Sequence, residues 1–333
     1  MVKKKIAVVT GGAGFIGSHL VDLLLKKKFK VIVIDNLTGG RISNLKEHKK
    51  NKDLILKKID INKISKKEKI FNNVTYVFHF AGIGDIVPSI ENPADYMMTN
   101  VQGTVNVLEA SRYAKAKKFV YAASSSCYGI NNNRTKENAK INPQYPYALS
   151  KYLGEQVVMH WNKVYKLPTT SIRIFNAYGP RVRTTGVYGA VFGVFFKQKL
   201  SKKPLTIIGN GKQSRDFIYV TDLVKAFFKA AISKKHGNIF NLGNDKPQSI
   251  NTLAKLIGGK IIYIPNRPGE PKKTWANTSK ITKELNWKPS IKFKDGVKKM
   301  LIQINEWKTA PLWSPKTIKS ATKVWFKYLG NEK

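Results

Sequence analysis

Apolar residues follow two rhythms that alternate along the chain. Ile6-Ala7-Val8-Val9 is a short continuous run that reads as a buried strand and stops at Gly11-Gly12. Leu20, Leu24 and Leu25 then recur at helical spacing, and Val31-Ile32-Val33-Ile34 begins a second strand. Leu54–Leu56, Val74–Phe80 and Lys118–Ala122 read as further strands, with a helix over about Pro93 to Ala114. Another helix starts at Pro146, which suits a first turn, and carries Leu153, Val157, Val158 and Trp161. This alternation predicts an α/β fold built on a doubly wound parallel sheet. A final stripe, Ile318, Val324, Trp325 and Leu329, predicts one amphipathic helix between about Leu312 and Gly330. No apolar run approaches the ~18 residues of a membrane span. The lysine-rich start resembles a signal-peptide n-region, but the apolar run after it is too short for an h-region.

Two of these elements carry recognisable chemistry. Thr10-Gly11-Gly12-Ala13-Gly14-Phe15-Ile16-Gly17 lies between the first strand and the first helix, the layout of a dinucleotide site. Gly11 permits the tight turn, Gly14 lets backbone approach a diphosphate, and Gly17 lets helix pack on strand. The helix N-terminus then faces the diphosphate. Asp35 closes the unit about twenty residues on, where a carboxylate accepts from the ribose 2′-OH of NAD and repels a 2′-phosphate. Arg41 stands close by in sequence. Further along, Tyr147 and Lys151 are four apart on the Pro146 helix and share a face. A neighbouring cation favours phenolate and lowers a tyrosine pKa by roughly 1–3 units, which makes the pair a candidate general acid/base.

Composition narrows the class. With 42% hydrophobic and 11% aromatic residues, the chain is that of a soluble globular protein. A single cysteine, Cys127, excludes an internal disulfide and points to a reducing, cytoplasmic setting. The net charge of +40 raises the question of nucleic acid, yet only eight of 60 basic residues are Arg and the lysines are scattered. No zinc-finger, RNP or helix-turn-helix pattern is present, so neither nucleic acid nor membrane is expected as a partner. No metal-ligand set is expected.

Five motifs occur in the order and spacing of the extended short-chain dehydrogenase/reductases. They are the glycine loop, His79-Phe80-Ala81-Gly82, Asn100-Val101-Gln102-Gly103-Thr104, Ala123-Ser124-Ser125-Ser126-Cys127-Tyr128-Gly129 and Tyr147-Ala148-Leu149-Ser150-Lys151. Within that group the chain resembles a nucleotide-sugar 4-epimerase, from Lys5 to about Trp307. The resemblance implies a Rossmann-type domain over residues 1–175 and a smaller mixed α/β substrate lobe over 176–310. Some segments of that lobe would return to the first domain, and a helical extension would follow over 311–333. It implies NAD held by Gly11, Gly14, Phe15, Ile16, Gly17, Asp35 and Asn36, by Asp60 and Ile61 at the adenine edge, by Ala81 and Gly82, and by Asn100, Tyr147 and Lys151. Ser124, Tyr147 and Lys151 would be catalytic. Ser125 and Ser126 would help bind the sugar, Asn176 the diphosphate, and Arg215 and Arg267 the phosphates. Asp222 would open a helix, and Asn277 departs from the family's usual Asp.

The implied activity is NAD-dependent 4-epimerisation of a UDP-sugar through a 4-keto intermediate. The related 4,6-dehydratases carry Thr-Asp-Glu where this chain has Ser124-Ser125-Ser126, and decarboxylases usually keep the Glu. Both remain as alternatives, as does a basic NAD-binding protein without catalysis. In the family a residue seven positions after the second phosphate arginine closes the sugar pocket, here Thr274. A small residue there leaves room for a 2-acetamido group, so UDP-N-acetylglucosamine and UDP-N-acetylgalactosamine are the expected pair, with UDP-glucose and UDP-galactose as further candidates. Trp275 is the neighbour that would fill the pocket if the register slipped. A homodimer is also implied, through helices 93–114 and 147–165, with Met97, Met98 and Trp161 as candidate seam residues.

Overall fold

A computed structural model describes residues 4–184, 191–266 and 270–330. In chain order the first part runs β1 (Ile6–Thr10), α1 (Phe15–Lys26), β2 (Lys30–Ile34), β3 (Leu54–Lys57), β4 (Val74–His79), α2 (Ile86–Glu91), α3 (Pro93–Met97), α4 (Gly103–Tyr113), β5 (Lys118–Ser124), α5 (Pro146–Tyr165), β6 (Thr169–Ile174) and β7 (Asn176–Tyr178). The second part runs α6 (Val191–Leu200), β8 (Leu205–Ile208), β9 (Ser214–Arg215), β10 (Phe217–Tyr219), α7 (Val220–Ile232), β11 (Asn238–Leu242), β12 (Gln248–Ser249), α8 (Ile250–Ile257), β13 (Ile261–Ile264), α9 (Ser279–Leu285), α10 (Phe293–Ile302), α11 (Pro315–Ala321) and α12 (Lys323–Leu329).

Seven strands form one parallel sheet in the order β11-β6-β5-β4-β1-β2-β3. The central strands are buried on both faces, as their unbroken apolar runs require. One face packs on α1 and α7 through Leu20, Leu24, Phe78, Leu223 and Phe227. The other packs on α4 and α5 through Val77, Leu108, Phe119, Tyr121 and Val158. Strand order reverses beside β1, so a crevice opens between the carboxyl ends of β1 and β4. Thr10 pairs there with Ile34 and His79, which levels the strand ends. This is the Rossmann-type sheet the alternating pattern predicts. After Asn176 the chain builds a second core around Phe192, Phe196, Phe217, Leu253, Phe293 and Trp307, and it returns to the main sheet for α7 and β11.

Two predicted helices differ from expectation. The 93–114 stretch is interrupted by a π turn over Met98–Gln102. The extra residue in that turn aims the Asn100 amide inward, where it donates to Ile83 O (3.0 Å) and Ser150 Oγ (2.9 Å) and accepts from Ile83 N (2.9 Å). The tail is two helices rather than one. Thr322 is buried at the break, and its hydroxyl shares the Ile318 carbonyl at 2.8 Å, a back-bond that bends the chain. Among the described residues no helix is long and apolar enough to cross a membrane.

Asp222 sits in the first turn of α7, as expected, and it also ties that helix to the chain after Trp287. Its carboxylate accepts from Ser290 N (2.6 Å), Ile291 N (2.7 Å) and Ser290 Oγ (2.6 Å). Replacing it by Ala strands two backbone amides. Asp222→Ala is expected to cost about 3 kcal/mol in urea unfolding. A loss under about 1 kcal/mol would contradict this role.

Candidate active site

The glycine loop closes directly onto the end of β4. Gly11 has φ +67°, and a Cβ there would lie 2.7 Å from Ala81 N, so only glycine fits. Gly17 faces the loop so closely that a Cβ would stand 2.2 Å from Gly11 O. Gly14 caps α1 in extended conformation, with no capping side chain and no acidic residue in the first turn. The amides at Phe15, Ile16 and Gly17 therefore begin a helix whose positive end is left for an anion. Asp35 is buried beside them and accepts from Ala13 N (2.9 Å) and Leu37 N (2.8 Å). A carboxylate has about four lone-pair sites, so two remain for ribose hydroxyls. Asn36 donates to Asp60 (3.0 Å), and Asp60 caps the turn holding buried Ile61. Arg41 is held by Val182 O and Thr184 Oγ1, both at 3.2 Å. These residues fit a dinucleotide.

Ser124, Tyr147 and Lys151 converge at the end of β5. Ser124 stands beside Tyr147, and its hydroxyl accepts from Ser126 N at 3.2 Å. Lys151 is buried, its Nζ 4.4 Å from the centre of the Tyr121 ring. A Cβ on Gly82 would stand 2.7 Å from Asn100 Oδ1 and 3.9 Å from Lys151 Nζ, so Gly82 keeps this floor open. Asn100 spends its amide on the protein, so it positions the Gly82–Ile83 loop and α5. Behind them neutral His79 bridges Thr10 (2.6 Å) and Thr104 (3.0 Å), its pKa pushed down to about 3 by burial.

The electrostatics correct one expectation. Burial lowers Lys151 to about 7, with Glu155 acting against it, and burial raises Tyr147 above its ordinary value, with nearby Ser124 acting against it. Burial governs both groups, so the chain alone does not hold Tyr147 as phenolate.

A cleft of about 460 Å³ adjoins this trio, walled by Asp85, Asn176, Phe195, Arg215, Glu270 and Trp325. Arg215 lies 3.9 Å from Glu270, and Arg183 lies 3.0 Å from Asp85. Arg267 lies outside the described residues. Thr274 stands beneath Asn176: its hydroxyl donates to Asn176 Oδ1 (2.8 Å) and accepts from Asp216 N (3.1 Å). Its donor is thus already used within the protein. Trp275 bonds Asp245 Oδ1 (2.8 Å) under Lys273 and leaves the cleft clear. A second concavity, about 310 Å³ and lined by Lys4, Lys5, Lys115 and Lys117, lies at the amino ends of β1 and β4, away from this chemistry.

Three residues escaped sequence reading. Tyr145 lies beside Ser126 and stacks on Tyr147, ring centres 6.3 Å apart. Its position two before Tyr147 was the available signal. Glu270 and Trp325 carried none, since a charge in a loop and an apolar stripe read as surface and core.

A family model, "NAD dependent epimerase/dehydratase family", matches residues 7–243. A putative UDP-glucose 4-epimerase of Methanocaldococcus jannaschii is 38% identical over 305 residues, 88% of this chain and 96% of that protein. A UDP-glucuronic acid 4-epimerase from Bacillus cereus, solved with UDP-glucuronic acid and NAD, superposes with TM-score 0.84 at 31% identity, covering 90% of this chain and 99% of that one. A UDP-N-acetylglucosamine 4-epimerase from Methanobrevibacter ruminantium, solved with UDP-N-acetylmuramic acid, gives TM-score 0.84 at 32% identity over 91% and 100%.

Asp35→Ala is expected to weaken NAD binding about tenfold or more, because a hydrogen bond to a charged group contributes about 1.5–3 kcal/mol. Calorimetric titration reads this, and an unchanged Kd would remove Asp35 from the site.

Proposed function

Since the chain belongs to the NAD dependent epimerase/dehydratase family, we infer that it interconverts UDP-sugars at C4 with NAD as its cofactor. The observation that carries this reading is the meeting of Ser124, Tyr147 and Lys151 beside a cleft, with no carboxylate at 125 or 126. Tyr147 takes the proton from the sugar 4-OH and later returns it. Ser124 hydrogen-bonds the same oxygen and steadies it as a ketone. Bound NAD supplies the acceptor and donor of the C4 hydride. Lys151 is the residue that would hold the nicotinamide ribose, and its charged form would favour the phenolate once the cofactor is bound. Arg215 and Asn176 keep the diphosphate in place, so the sugar can present either face.

Loss of water or carbon dioxide needs further acid/base groups. The two carboxylates that wall the cleft, Asp85 and Glu270, each have an arginine beside them. This favours epimerase over dehydratase or decarboxylase. Thr274 is small and pinned away from the cleft, which supports a pocket with room for a 2-acetamido group. UDP-N-acetylglucosamine and UDP-N-acetylgalactosamine are therefore the leading substrates, followed by UDP-glucose and UDP-galactose.

The same reading makes the chain a homodimer. Met98, Leu149 and Leu153 expose apolar surface between the π turn and α5, and half-buried Trp161 donates to Glu109 (2.8 Å) on the same side. Light scattering reads this state, and a monomer at micromolar concentration contradicts it.

NMR of a nucleotide-sugar panel tests the activity. The acetamido pair is expected to equilibrate. Tyr147→Phe should lower turnover by about 10²-fold or more, the usual share of a general acid/base, with UDP-sugar binding near normal. Turnover of UDP-glucose but not of UDP-N-acetylglucosamine would overturn the substrate assignment. Dehydrated or decarboxylated products would overturn the reaction.

A further inference from the structure

The tail contributes one side chain to the substrate cleft. Trp325 is the only buried residue of α12, while Phe326 and Tyr328 in the same helix are exposed. A helix added for stability would bury a stripe of residues. This one fully buries a single indole, with Val324 and Leu329 half-buried, and that indole lines the cleft together with Asn176 and Arg215. The bend at Thr322 and the packing of α12 on α2 set it there. Its ring centre lies 6.1 Å from that of Tyr145, which stacks on Tyr147. The indole thus extends the aromatic row that begins at Tyr147 and runs through Tyr145. Helix α12 lies beyond residues 7–243, where the family model matches.

We propose that Trp325 is a specificity-determining residue whose indole face seats the pyranose ring of the bound nucleotide sugar. The proposal rests on the UDP-sugar reading above. A sugar ring has one face of C–H groups, and a broad flat side chain with little rotamer freedom is suited to cover it. Trp at the centre of a desolvated pocket is also the residue type that most often dominates affinity. Because the wall faces the sugar, its loss should remove the part of the affinity that the sugar adds to UDP.

Calorimetric titration of the NAD-loaded protein with UDP and with UDP-N-acetylglucosamine separates the cases. For Trp325→Ala the Kd of the UDP-sugar is expected to rise about tenfold or more, with the Kd of UDP within about twofold of wild type. Trp325→Leu keeps apolar bulk but lacks the flat face, and it is expected to lose the same increment, which covers an alanine variant that does not fold. An unchanged UDP-sugar Kd in either folded variant overturns the proposal. So does an equal loss for UDP and UDP-sugar, which would place the indole on the nucleotide. A wild-type protein that binds UDP-sugars no better than UDP overturns the proposal too. Wild-type binding of neither ligand is different: it defeats the UDP-sugar reading itself, and the proposal with it.

Discussion

A buried ammonium governs the catalytic end of this molecule. Lys151 sits out of water, on the Tyr121 ring and beneath the open floor at Gly82, and burial has brought it down to about 7. Keeping such a group requires a rigid frame, because a cation out of water is costly unless its surroundings are fixed. The frame is visible. The π turn delivers Asn100 to both Ile83 and Ser150, which locks α5 to the loop after β4. One turn further on, Glu155 is held by Arg173 at 2.6 Å and by Ser171 at 2.9 Å, both buried. Tyr147 and Ser124 are set by the same helix and by the end of β5, so the trio shares one support.

Burial makes both titrating groups reluctant to ionise. Tyr147 is raised and Lys151 lowered by the same exclusion of water. A pair held this way does little in isolation and responds strongly to any charge brought beside it. The substrate side has the complementary arrangement. Its arginines already face carboxylates, so the wall is polar without a surplus of free negative charge. The large positive charge of the chain is carried mainly by scattered lysines.

The sequence made the backbone frame legible, because strand runs, glycine loop and Pro146 helix are local patterns. Gly11 announced a left-handed turn, and Tyr147 and Lys151 announced a shared face. Features set by distant contacts stayed hidden. The π turn exists to satisfy Asn100, whose partners lie 17 and 50 residues away. Thr274 loses its donor to Asn176, 98 residues distant. Trp325 reads as core by its spacing and becomes a cleft wall only because Thr322 bends the tail. The ionisation of Tyr147 depends on desolvation, which no spacing reveals.

The central claim is that this chain moves protons on oxygen only, while the carbon-bound hydrogen at C4 leaves and returns without meeting solvent. Epimerisation in ordinary water of a UDP-sugar carrying deuterium at C4 tests it directly, with the product read by mass spectrometry and NMR. The account predicts that the epimer retains deuterium at C4. Replacement of that deuterium by solvent hydrogen would contradict it.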